Sequence, residues 1–499
     1  MINDWRRLTQ GALLARNVLW NLAGQVLPLL AGIIAIPFLI GGLGTDRFGI
    51  LTLIWVAIGY FSLFDLGLGR ALTQLVAQRL GSSEDAAHRL FWTTSLLIAI
   101  IGTAGALVVA LLNPWLIHHF LRVPAALQQE CVLAVYLLAF SIPFLLSTSA
   151  MRGMLEAHQQ FLSINAIRLP MGLATYLGPL LVLPFSRSLV AVVALLVVTR
   201  LATWLAFLQV CFRTFAGLRA GVALDPTLIG PLFRFGGWMT VSNAVGPVIA
   251  YADRFLIGAL ITVSAVAYYA TPYEVVTRLW IIPFALTGVL FPAFATTLAQ
   301  DPRRTVLLFM RGVKYIFLAI FPISLVLVAF ASDALRAWLG STFAGRSTVV
   351  LQLLAAGILI NCLSHVPFAL VQGGGRADLT AKLNLAELIP YFVLVIWLIH
   401  VLGINGAAIA WVVRVVVEAA VYFVMAQAML PAIRAHLWRL GLALVLAAGT
   451  LATATLLSGA SRVLFVISTL SLFALVAWFQ VLSPHERLLG LKALTPGKV

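Results

Sequence analysis

The sequence predicts an all-α polytopic membrane protein. It allows about 14 transmembrane helices, arranged as two parallel six-helix lobes around a central cavity plus a C-terminal helix pair. Three observations lead there. Of 499 residues, 62% are hydrophobic and 10% charged, with a mean hydropathy of +1.06; a soluble chain carries about 25% charged residues. The apolar runs are about 20 residues long, the length of a membrane helix, and lack the ~10-residue alternation of an outer-membrane barrel. Lysine and arginine collect in every second connection between those runs.

In chain order, helices are expected near residues 18–40, 48–69, 91–112, 130–150, 161–184, 189–212, 236–261, 267–298, 307–331, 349–371, 380–401, 404–428, 437–457 and 463–481. The basic start before the first run invites a signal-peptide reading. The run is too long for one and more spans follow, so it reads as an uncleaved first helix. A glycine-rich turn, Gly41 to Gly44, is expected to end it. The second helix closes in Phe-Asp-Leu-Gly-Leu-Gly-Arg, with Asp65 placed to cap the next turn.

The longest polar connection, 213–235, divides the chain. Residues 1–212 form the expected N-terminal lobe, 236–430 the C-terminal lobe, and 431–499 the added helix pair and tail. Positions recur at a constant offset across the divide: Pro28 with Pro247, Asn165 with Asn384, Arg168 with Glu387. That fits parallel lobes related by an axis along the membrane normal.

The formal net charge of +16 is not a nucleic-acid signal. Its residues lie between apolar runs, not on one face. Twenty-two basic residues, from Arg6 to Lys498, fall in one set of connections. The alternate set holds Arg47, Arg122, Arg187, Arg336, Arg346 and Arg462. This places both termini in the cytoplasm. Cys131, Cys211 and Cys362 are too few and too far apart for a disulfide framework.

Chemistry-bearing motifs of enzymes are missing. There is no G-x-x-x-x-G-K-[ST] phosphate loop and no metal-ligand spacing among the histidines, so neither catalyst nor cofactor is expected. What remains is charge at bilayer depth, which costs several kcal/mol unless paired or hydrated. These residues are Arg168, Arg200, Asp253, Arg254, Glu274, Arg278, Glu387, Arg414 and Glu418. Glu274–Arg278 and Arg414–Glu418 share a helix face at i,i+4 and can neutralise each other. Arg200 has no acid within four residues. Pro28, Pro37, Pro247, Pro283 and Pro292 are expected hinge or kink points, each removing a helix hydrogen bond. Local packing is the plainer role for them.

Several motifs carry a family resemblance. Leu43, Gly44, Phe48 and Gly49 form L-G-x-x-x-F-G; Asp65, Leu66, Gly67, Leu68 and Arg70 follow. With the stretches Ala252–Ala270 and Gly403–Arg414, the chain resembles the O-antigen-type polysaccharide flippases. These belong to the multidrug/oligosaccharidyl-lipid/polysaccharide exporter superfamily. The resemblance implies that the substrate is a polyprenyl-pyrophosphate-linked oligosaccharide. It would be flipped across the cytoplasmic membrane by alternating access, for surface polysaccharide synthesis. Membrane lipid, a polysaccharide polymerase and glycosyltransferases are the implied partners. Arginines would hold the pyrophosphate by forked hydrogen bonds, and the resemblance keeps Asp65 a candidate beside its capping role. A lipid II flippase or a multidrug exporter of the same superfamily is the alternative reading. The alternative from another class, a membrane polymerase or ligase, is disfavoured by short outer loops.

Overall fold

The computed structural model describes residues 11–61, 65, 67–79, 84–158, 160–230, 232, 249, 251–482, 484 and 487. No strand occurs among them. Eleven described helices are long and apolar enough to cross a membrane. Packing gathers the chain into two compact units, Met1–Ala267 and Tyr268–Val499.

The first unit holds α1 (Gly11–Phe61), α2 (Leu68–Arg79), α3 (Glu84–Trp115), α4 (Ala125–Ala157), α5 (Phe161–Val182), α6 (Leu189–Thr214) and α7 (251–260). α4 is its centre, packed by α2, α3 and α6, while α5 lies against α1 and α6. Leu68, Leu72, Phe91, Leu146, Met151 and Phe207 are buried in this core. Most of the expected seventh helix, with Pro247, lies outside the described residues.

The glycine-rich turn expected after the first helix is smaller than a loop. α1 runs through it, and the break is the single residue Gly44, at φ 79° and ψ 164°. An L side chain is disfavoured there, so glycine lets the chain redirect in one step. Beyond the break, Arg47 grips Glu130 through Nε and Nη2, at 3.1 and 3.0 Å from Oε2. Glu130 also accepts hydrogen bonds from the Ser188 hydroxyl and the Leu189 amide. One carboxylate therefore ties α1 and α4 to the start of α6.

The second expected helix, 48–69, is too long. α1 ends at Phe61, and Leu68–Arg79 is a separate helix. The reason is local. Asp65 accepts hydrogen bonds from the Gly67 and Gly69 amides at 3.0 and 3.2 Å, and Gly67 has φ 68°. Satisfying those amides with a side chain starts a new helix.

The second unit continues with α8 (Val263–Thr277, begun in the first unit), α9 (Ile281–Gln300), α10 (Pro302–Ala329), α11 (Ala331–Leu339), α12 (Ser341–Gly373), α13 (Ala377–Leu402), α14 (Ile404–Met429), α15 (Arg434–Leu456) and α16 (Gly459–Val476). α12 is the central helix, with α9, α10, α11 and α14 around it. The expected eighth helix, 267–298, is two helices joined by a 3₁₀ turn at Arg278–Trp280. Pro283, which has no amide hydrogen to donate, lies in the first turn of α9. The expected outer loop at 332–347 is helical as well. There α11 buries Ala331 and Leu335 while leaving its polar residues out.

Gly403 to Gly406 turns α13 into α14. A Cβ on Gly406 would stand 1.9 Å from the Leu398 carbonyl oxygen, so the hairpin requires glycine. α15 and α16 pack on α10. Phe473 meets Phe321 at 5.0 Å, and Arg462 binds Asp333 with its guanidinium over the Phe330 ring. The three cysteines are free and buried.

Candidate functional site

The charged side chains expected at membrane depth fall into separate groups. In the first unit, α6 is apolar on both sides of one mid-helix charge. Half-buried in its middle is Arg200, which donates from Nη1 to the Met171 sulfur of α5 at 3.2 Å. A thioether is a weak acceptor for a charged donor. Among the described residues no carboxylate pairs with Arg200.

Asp253 and Arg254 both lie on α7 and both have no exposed surface. The Asp253 carboxylate accepts from the Arg254 amide at 2.8 Å, and the guanidinium lies 5.0 Å from the Tyr251 ring centre. Arg168 is exposed on α5, near the Arg152–Glu156 ion pair. Asp65 spends its carboxylate on the α2 cap. The structure thus holds Arg200 and Arg254 in different settings, one on a sulfur and one over a tyrosine ring.

In the second unit, Glu274 and Arg278 pair at 3.1 Å, each about 40% exposed. Arg414 and Glu418 pair at 3.5 Å on α14, both mostly buried. A partner from another helix joins them. Glu387 of α13 lies 3.7 Å from the same Arg414 nitrogen and is 8% exposed. Both its carboxylate oxygens are buried without a hydrogen-bond partner among the described residues. The Tyr391 ring covers the guanidinium at 5.4 Å.

Spacing within α14 finds Arg414–Glu418 but not Glu387, because the contact crosses between helices. The only signal in the sequence is that Glu387 is an acid at bilayer depth. Two carboxylates facing one guanidinium leave a single negative charge, which a proton or another cation would balance.

The expected hinge prolines are distributed as follows. Pro28 and Pro37 lie within α1, where Pro28 packs against Gly172 of α5. Pro283 and Pro292 lie in α9.

These groups carry charge of both signs. Forked guanidinium donors suit phosphate oxygens.

The matching family model is described as polysaccharide biosynthesis protein and covers residues 14–298. The chain belongs to this family. The matched span takes in the first unit with Arg200, Asp253 and Arg254, and continues through Glu274 and Arg278. A Shigella flexneri protein described as "Putative O-antigen transporter" is 29% identical over 407 residues, 81% of this chain and 95% of that one.

Solved structures share the fold at low identity. An inward-facing multidrug resistance MATE family transporter of the MOP superfamily superposes with a TM-score of 0.71 at 14% identity. It covers 84% of this chain and 95% of its own. The lipid II flippase MurJ, in an inward closed conformation, gives a TM-score of 0.71 at 10% identity over 93% and 99% of the two chains. This member of the polysaccharide biosynthesis family is therefore a multi-pass membrane protein with a transporter fold.

Proposed function

We propose that the protein is a flippase, not an enzyme. It moves a polyprenyl-pyrophosphate-linked oligosaccharide from the cytoplasmic to the outer leaflet of the inner membrane, by alternating access of the lobes 1–212 and 236–430. The sugar and pyrophosphate cannot cross hydrocarbon unaided, whereas the prenyl tail stays in lipid. The family and the O-antigen transporter relative support the substrate class.

One observation carries the reading: Arg200 sits in an apolar helix with a methionine sulfur for company and no carboxylate among the described residues. A guanidinium so placed is costly unless water or an anion compensates it. A pyrophosphate headgroup would do so. A cationic drug would add to the charge, which disfavours the multidrug reading. Arg254, Arg168 and Arg278 are the further candidates for headgroup contact. Glu274 balances Arg278, Glu418 balances a further candidate, Arg414, Asp253 lies beside Arg254, and Asp65 serves the cap.

The test is polymer export in a strain lacking the protein. Arg200→Ala and Arg254→Ala should each reduce export at least about tenfold while the protein still inserts. Lysine at either site should restore only part, since it keeps the charge but loses the fork. Export by both alanine variants at the wild-type rate would end this reading.

A further inference from the structure

α10 begins with a basic stretch, and its residues share one face. With successive residues turned by ~100°, Arg303, Arg304, Arg311 and Lys314 fall within an arc of about 100°. Thr305, Phe309, Gly312, Val313 and Ile316 point the other way and are buried against the unit. The three arginines are exposed, as is Leu307 between them, at 59%.

α15 packs on α10. The two helices cross the membrane in the same direction, because three candidate spans (Ser341–Gly373, Ala377–Leu402 and Ile404–Met429) lie between them. Their starts therefore share one membrane side. That side also receives Arg434 and Arg439, both exposed, beside the exposed Trp438. Around Arg303 and Arg304, and across 431–439, the only carboxylate in the sequence is Asp301. It is engaged in capping α10 through the Arg304 amide.

We propose that this face, the first three turns of α10 with the start of α15, binds the headgroups of anionic phospholipids. Charge complementarity selects the occupant. Basic side chains at one end of a membrane helix, interleaved with exposed apolar residues, match a negative headgroup above an acyl chain. Trp438 stands at the same level, where aromatic rings favour the headgroup boundary. The face turns away from the buried core of its own unit, which suits a bulk lipid rather than a ligand enclosed by that core.

Native mass spectrometry of the full chain, with phosphatidylglycerol and phosphatidylcholine supplied in equal amounts, tests this. The wild type should retain phosphatidylglycerol over phosphatidylcholine by about fivefold or more. The preference should shrink severalfold at roughly 0.5 M salt, where screening is strong. The variant R303Q/R304Q/R311Q/K314Q should fall to about twofold or less. R303K/R304K/R311K should keep the preference, since a point charge suffices for a phosphodiester. If the fourfold variant fails to insert, R303Q/R304Q, altered only in the first turn, should still halve the preference. Equal retention of the two lipids by the wild type overturns the proposal. So does an unchanged preference in R303Q/R304Q or in the fourfold variant. Displacement of phosphatidylglycerol by micromolar inorganic pyrophosphate would also overturn it, by marking the face as a pyrophosphate site.

Discussion

Gly49 lies so close to the carbonyl oxygen of Val263 that a Cβ there would stand 1.8 Å from it. The contact joins two stretches more than 200 residues apart, the one after the Gly44 break and the turn that opens α8. Phe48 beside it is fully buried and meets Trp55 edge-on. Gly49→Ala should therefore destabilise the protein by about 1–3 kcal/mol, the usual cost of overpacking, because the opposing atom is backbone and cannot rotate away. Gly41→Ala, with nothing within 4 Å of its Cβ, should be neutral. Thermal melts of the two purified variants make the comparison, and equal melting temperatures would remove the role given to this contact.

Arg414 faces two buried carboxylates, Glu387 and Glu418. Removing it leaves both without their cation, so Arg414→Ala should cost about 3–5 kcal/mol and lower the folded yield. The i,i+4 spacing gives Glu274–Arg278 the same buried appearance in the sequence. In the structure that pair is about 40% exposed. Water can hydrate a lone Glu274, so Arg278→Ala should leave the yield closer to wild type. Glu387→Gln should partly rescue Arg414→Ala, because it removes one of the stranded charges. Fluorescence-detected size exclusion reads all three, and no rescue would argue against a Glu387–Arg414 interaction.

The basic asymmetry gives a topology. Reporter fusions after Arg16 and after Lys492 should both score cytoplasmic, and a fusion within 332–347 should score periplasmic. That last segment is α11 and the start of α12, so an insertion after Gly340, between the two helices, is the least disruptive site. A cytoplasmic score there would break the assignment of sides.

A pyrophosphate-linked lipid carries about two negative charges. Moving them outward across an inside-negative potential is favourable by ~2.3 kcal/mol per charge per 100 mV, about 4–5 kcal/mol in all. In proteoliposomes an imposed potential of that sign should drive net flipping without a pH gradient. Transport that ignores the potential and follows the pH gradient would reject this drive.

Much of the architecture follows from the sequence alone. A run of about 20 apolar residues has few alternatives in a membrane, since every backbone amide must be satisfied within its own helix. Helices such as Leu189–Thr214 and Ile404–Met429 therefore stand where hydropathy places them, within two residues of the expected 189–212 and 404–428. The Asp65 cap is legible for a similar reason, because its partners, Gly67 and Gly69, are its neighbours in the chain. Breaks within helices are harder to read. The glycines mark the break near Gly44, but its narrowing to one residue and the 3₁₀ turn at Arg278–Trp280 depend on how neighbouring helices pack.

The charged groups divide along the same line. Sequence spacing determined Glu274–Arg278 and Arg414–Glu418, because the helix itself brings i and i+4 together. Only the tertiary structure decided that Glu387 joins Arg414, that Arg47 holds Glu130, and that Met171 is what Arg200 meets. Each of those contacts bridges two helices. The rotation of one helix against another is set by the whole packed interface, which no local pattern encodes.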